Sequence, residues 1–411
     1  MNLSNNKQKK YEASRKKIKS TFLKIKSMGI SNKKSGRQNS DNTIEQYEAL
    51  MLNYAERLKS DFGIVDITRA KKEHFEKYLN EGISKYGKGD LRQAHSLNKL
   101  ISAIEMFREG SKETGIFKKE VELIDKESAR ETMQYFNVKR LSESTETMSI
   151  EEDIGKQIAL ELLNSRSPNK EEVKKAWELA QASGARAMDV LSMTAKDVEE
   201  NGCWIRNSKG GLTSFVPYID HKEKAFIQGL AKDRKDDAPL IQMKKKDGKV
   251  MSKDSMKSLL EREVKKAGER VMTVREQVVH YKFRGKDGKL HWKSAVVDQK
   301  IKFHSSRKAF VNKRFDFYNR LDEEELQKLL DERFKDENVH RKYQTAEKRI
   351  NDTRKKSSPR GLYRYEKALF LSSIDSRHFR IDIMRSYYLS REKVNIEREV
   401  IKLEKKQRGH Y

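Results

Sequence analysis

The chain has 411 residues and carries 90 Lys+Arg against 63 Asp+Glu, a formal net charge of +27. That length suggests two or three domains, and so large a positive field attracts a polyanion, nucleic acid first and a membrane surface second. The single cysteine, Cys203, excludes an intrachain disulfide and a zinc site built on several thiolates. No apolar run approaches the ~18–20 residues needed to span a bilayer. The opening "MNLSNNKQKKYEASRKK" lacks the apolar stretch of a secretory signal. A cytoplasmic, nucleoid-associated protein is therefore expected, with no membrane partner. Only four prolines and a charged fraction of 37%, much of it at i,i+4 spacing, favour helix.

Residues 1–40 are rich in Lys and Ser and poor in apolar side chains, so a flexible arm or a poorly ordered basic helix is expected. Thr43 and Gln46 form a capping-box pattern. Ile44, Tyr47, Met51, Tyr54 and Leu58 follow at helical steps. A second helix is predicted from Thr68, with Phe75, Tyr78 and Leu79 inward, and "GISKYGKGDLRQ" reads as a loop. Leu97, Ile101, Ile104 and Phe107 mark a further helix. Residues 41–145 thus read as a helical bundle with a mixed segment leading out of it.

Residues 146–411 read as a second domain. "NKEEVKKAWELAQAS" is a helix that stops at Gly184, and another runs from Arg186 to about Met193. "CWIRNSKGGLTSFVPYI" has strand-like arms around Lys209-Gly210-Gly211, and a second hairpin is predicted around Asp287-Gly288. Helix resumes at Ser305. "LDEEELQKLLDERF" is an acidic-capped helix, "RKKSSPRG" a loop, and Ser390–Gly409 a charged tail helix. The fold class expected is mainly α with small β-hairpins, an α+β protein.

Residues 82–89 have G-x-x-x-x-G-K spacing, but Gly89 stands where a phosphate loop needs Ser or Thr, and the preceding segment is helical. The nine histidines form no H-E-x-x-H pattern. No cofactor and no metal are expected. Arg186 follows a glycine break at a helix start, with Asp189 a turn later. Lys209 stands at a hairpin tip. His304 and Arg307 lie one turn apart on a helix face. Each of these, alone, reads as an ordinary polar surface feature.

Taken in order with "RHFRIDIMRSYY", they resemble the catalytic domain of the tyrosine recombinases, the phage integrase family. "SGARAMDVLSM" resembles that family's G-x-R-x-x-E-L box with Asp189 for Glu. "SKGGLTSFVP" resembles its lysine-bearing hairpin, and "HSSRKAF" its H-x-x-R box. The nucleophilic tyrosine there usually falls nine residues after the second histidine, which selects Tyr387 after His378, while Arg377 and the long preceding segment leave a shift by one residue to Tyr388 open. Arg377 replaces the usual glycine before that histidine, and the segment from Arg307 to His378 is unusually long. The resemblance implies an enzyme that breaks and rejoins duplex DNA through a 3′-phosphotyrosine, working as a homotetramer with a dimer on each site. An accessory directionality factor is a further partner it allows. It implies that Arg186 and Arg307 clamp the phosphate and His304 moves a proton. Lys209 protonates the leaving oxygen, His378 bonds a non-bridging oxygen, and Tyr387 attacks. A type IB topoisomerase and a non-catalytic DNA-binding protein on the same scaffold are the alternatives.

Overall fold

A computed structural model describes residues 5–29, 40–115, 123–141, 145–208, 211–272, 274–354 and 361–389, with Lys393, Asn395 and Glu399. It is mainly helical, with two small antiparallel two-stranded sheets, which is the α+β class. The described residues divide into two compact units, one from 1–144 and 278–296, the other from 145–277 and 297–411. Among the described residues, no helix is long and apolar enough to cross a membrane.

The first unit begins with α1 (Asn5–Ser27), where a flexible arm or a poorly ordered basic helix is expected from the sequence. The helix buries Tyr11, Ile18, Phe22 and Ile25, and Phe22 stacks on Phe107 at 6.1 Å. Gly110 lies so close under Ile25 that a Cβ there would collide with it. Four apolar side chains at helical steps, sparse among lysines, suffice to dock it. Residues 30–39 of the expected arm lie outside the described residues. In α2 (Asp41–Phe62) the cap is Ser40, whose Oγ accepts from Thr43 N at 3.3 Å. The Thr43–Gln46 capping box is thus displaced, and Gln46 bonds Asn42 Oδ1 instead. The predicted start at Thr68 is a short 3₁₀ turn, Ile67–Arg69.

The next helix, α3 (Lys72–Gly87), runs through the first half of the expected loop. Ile83 and Tyr86 are buried there, and Gly82 admits Leu97 of α4 (Gln93–Thr114). Packing overrides the glycine pair. After α5 (Lys126–Tyr135) the unit is completed by the second hairpin, Arg275–Arg284 with Leu290–Gln299. Its Val278–Val296 portion packs on the bundle, not within the 146–411 domain to which the sequence assigns it. Tyr281 Oη donates to Tyr86 O at 3.1 Å, Lys293 Nζ to Gly87 O at 2.6 Å, and Asn137 Nδ2 to Lys282 O at 2.6 Å.

The second unit comprises α6 (Glu152–Leu162), α7 (Lys170–Ser183), the single turn α8 (Ala187–Val190) and the first hairpin, Gly202–Ser208 with Leu212–Pro217. Then follow α9 (His221–Ala231), α10 (Lys253–Val271), α11 (Ser305–Arg320), α12 (Glu323–Arg333), α13 (Glu337–Arg354), α14 (Arg364–Asp375) and α15 (Ile381–Ile383). Gly184 takes φ 62° and ends α7, as a left-handed C-cap glycine does. In the first hairpin Gly202 pairs with Pro217 and Trp204 with Phe215, and the register slips between Ile205 and Ser208.

Helix α11 is central although its sequence is strongly polar. Arg307, Lys308, Asn312 and Arg314 are all buried. Arg314 pairs with Glu223 of α9 at 2.8 Å and with Asp375 of α14 at 3.5 Å. Asp375 also takes Arg333 of α12 at 3.0 Å and the Tyr318 hydroxyl at 2.7 Å. Buried charges are tolerated only in such mutual pairing. Asp375→Ala would take the carboxylate from Arg333 and leave Arg314 with Glu223 alone, and should cost about 3–5 kcal/mol. Urea unfolding followed by circular dichroism checks this; a loss under ~1 kcal/mol would mean that the cluster does not hold α11, α12 and α14 together.

Candidate active site

Three stretches of the second unit meet around one guanidinium. Arg307, on the first turn of α11, donates from Nη1 to Gly184 O and from Nη2 to Ser376 O. Its Nε donates to Tyr388 Oη at 3.3 Å. That hydroxyl lies 2.6 Å from His378 Nε2 and 3.4 Å from His304 Nε2. Tyr388 is only 1% exposed, and its carbonyl accepts from Ser149 Oγ at 2.8 Å.

Arg186 is the N-cap residue of α8. Its Nη1 donates to Ser208 Oγ at 2.8 Å, and Ser208 donates to Asp189 Oδ2 at 2.9 Å. Asp189 also accepts from Arg186 N at 3.1 Å, so the aspartate holds both the Arg186 backbone and, through Ser208, its guanidinium. A recess of about 390 Å³ opens here, with Arg186, Asn207, Ser208, Phe303 and His304 on its wall.

Burial dominates the electrostatics. It pulls the His304 imidazole down to about 3 and that of His378 to about 2, with Arg307 adding to both. Both rings are therefore neutral near pH 7, each with a bare ring nitrogen that can accept a hydrogen bond. Burial raises the Tyr388 phenol, and Arg307 opposes that rise. Lys308 donates to Thr147 O at 2.7 Å, and burial lowers it to about 7.

Of the residues predicted from the sequence, Arg186, His304, Arg307 and His378 come together. Lys209 lies outside the described residues, although its neighbour Ser208 holds Arg186. Tyr387 packs its ring 5.9 Å from His304 and under Lys308 Nζ at 4.3 Å. Its hydroxyl makes no hydrogen bond among the described residues, whereas that of Tyr388 does. Sequence reasoning marks Arg377 only as a departure from the usual glycine and gives it no role; its φ of 59° is left-handed. Its Nη2 donates to Gly184 O at 2.6 Å, while Nε and Nη1 find no partner among the described residues. The missing glycine was a signal for that strained backbone. Among the described residues, no group of three or more His, Cys, Asp or Glu could hold a metal ion.

No protein-family model matches the chain, and no curated protein matches it. Solved structures do resemble it. A lambda integrase dimer bound to a COC' core site is 14% identical and has a TM-score of 0.45, covering 72% of this chain and 87% of that one. A lambda integrase tetramer bound to a Holliday junction is 15% identical, with a TM-score of 0.43 and coverage of 71% and 68%. XerA recombinase is 15% identical, with a TM-score of 0.26 and coverage of 75% and 85%. These neighbours are tyrosine recombinases.

The two depressed histidines make stability depend on pH. Unfolded, each titrates near ~6.5; folded, each stays neutral far below that. From pH ~6.5 downward the unfolded chain alone takes up their protons, so stability falls by up to ~1.4 kcal/mol per pH unit for each ring. Urea midpoints between pH ~6.5 and ~5 should fall less steeply in His378→Gln than in the wild type. Equal slopes would show that His378 does not titrate as a buried neutral ring.

Proposed function

We propose that the chain is a site-specific DNA recombinase, an integrase of a mobile element, which cuts and rejoins strands through a 3′-phosphotyrosine. The observation that carries this reading is the meeting of Arg186, His304, Arg307 and His378 with a tyrosine hydroxyl in one basic site. Such a set matches the needs of phosphodiester cleavage. In-line attack spreads negative charge over the non-bridging oxygens, and two guanidinium groups can fork them. The phenol attacks phosphorus, and a neutral imidazole takes its proton. Lys209 protonates the departing 5′-oxygen. The phosphotyrosine retains the energy of the broken bond, so rejoining needs no ATP. Duplex DNA is the partner that the charge of +27 favours. Pairs of protomers on each site would assemble into a tetramer for exchange, as in the lambda integrase tetramer on its junction.

The test uses labelled, nicked duplexes tiled across the DNA that flanks the gene, resolved on a denaturing gel. Wild-type protein should give a covalent adduct on one of them. Arg186→Ala, which alters the recess wall, and the double variant Tyr387→Phe/Tyr388→Phe should give none. No adduct from the wild type on any duplex, or an adduct that survives the double variant, would sink this reading.

Binding should also be strongly salt-dependent. A protein that neutralises several phosphates loses ~10³-fold or more in affinity between about 50 and 200 mM salt. A flat titration on duplex DNA, followed by fluorescence anisotropy, would remove nucleic acid as the main partner.

A further inference from the structure

Counting from His378 selects Tyr387, but the count assumes a regular helix. The turn Met384–Tyr388 is a π-helix, closed by Leu389 N donating to Met384 O at 3.0 Å, five residues back. A π turn holds one residue more than an α turn, and such turns recur at functional sites. The extra residue carries the second tyrosine around to the place on the helix where the first would otherwise stand.

We infer that Tyr388, not Tyr387, is the attacking tyrosine; this rests on the recombinase reading above. Tyr388 Oη is the hydroxyl that meets His378 Nε2 at 2.6 Å, Arg307 Nε at 3.3 Å and His304 Nε2 at 3.4 Å. With His378 neutral, the phenol donates to its Nε2 and accepts from Arg307. The proton thus has an acceptor in contact, and the forming phenolate has a cation beside it. Even in this wider turn, successive residues point in different directions, so the pair cannot share this place. Tyr387 instead covers the buried Lys308.

The step balances as follows. Tyr388 Oη forms a bond to phosphorus as the P–O5′ bond breaks. The phenolic proton passes to His378 Nε2, and the 5′-oxygen takes up a proton from the Lys209 ammonium, as proposed above, when it leaves. The entering phosphate displaces the Tyr388 hydroxyl from Arg307 Nε and approaches from the recess that His304 lines. Because Tyr388 is 1% exposed in the free chain, DNA binding must open the Met384–Tyr388 turn.

The decisive experiment is localisation of the adduct. Wild-type protein trapped on the reactive nicked duplex is digested with nuclease and trypsin, and the peptide Ser386–Arg391, "SYYLSR", is sequenced by mass spectrometry. The residual nucleotide is expected on Tyr388. Alongside, Tyr388→Phe should lose the adduct while still binding the duplex. Tyr387→Phe should form it, within about fivefold of wild type. A nucleotide on Tyr387, with adduct surviving in Tyr388→Phe, overturns this assignment and leaves the recombinase reading intact. Absence of any adduct from the wild type overturns both. Should Tyr388→Phe fold poorly, the wild-type peptide alone decides.

Discussion

The guanidinium of Arg307 is the point through which the second unit's site is assembled. It is fully buried, and it satisfies carbonyls from two segments remote in sequence, Gly184 and Ser376. Gly184 ends α7 and precedes Arg186; Ser376 ends α14 and precedes His378. One side chain therefore fixes where Arg186 and His378 begin relative to His304, three residues before it on its own helix. A lysine could not replace it, because a single ammonium lacks the planar fork that reaches both carbonyls and still presents Nε to a phenol.

That arrangement needs α11 and α14 to be held rigidly, and the means are electrostatic more than apolar. Glu223, Arg314, Asp375 and Arg333 join four helices through buried pairs. Asp375 lies one residue before Ser376, so the cluster ends where the site begins. The long segment between Arg307 and His378 is consequently no remote appendage. Its α12 supplies Arg333, buries Leu326 and Leu330, and pairs Glu323 with Lys367 of α14. An acidic helix in a basic protein here serves internal neutralisation.

Much of this was legible in the sequence, for reasons that follow the physics. The α11 box was readable because an i,i+3 pair shares one helix face, and the α7 stop because glycine alone takes φ 62° cheaply. The first hairpin was marked by its glycine pair. Three features were not legible. Helix α1 docks through four apolar residues spread among lysines, so composition concealed it. Helix α3 continues through Gly82 because Leu97 fills the space, a tertiary effect that local propensity cannot register. The π turn has no signature at all in residue spacing, and spacing was the basis for selecting Tyr387.

The site's charge balance explains why it suits an anion. Arg186, Arg307 and Arg377 crowd together, and each weakens the hold of a neighbour on its proton or on that of the histidines. Asp189 is the carboxylate among them; it touches Arg186 at 3.7 Å and Arg377 at 4.0 Å. Three guanidinium groups, two of them buried, thus stand against one carboxylate. Two nitrogens of Arg377 remain without a partner among the described residues. Clustered positive charge in a low-dielectric pocket is costly unless an anion completes it. A phosphodiester brings one negative charge in the ground state and more as the transition state forms. On the recombinase reading proposed above, this crowding would strengthen the grip on the phosphodiester as negative charge builds, which is the differential binding that catalysis requires.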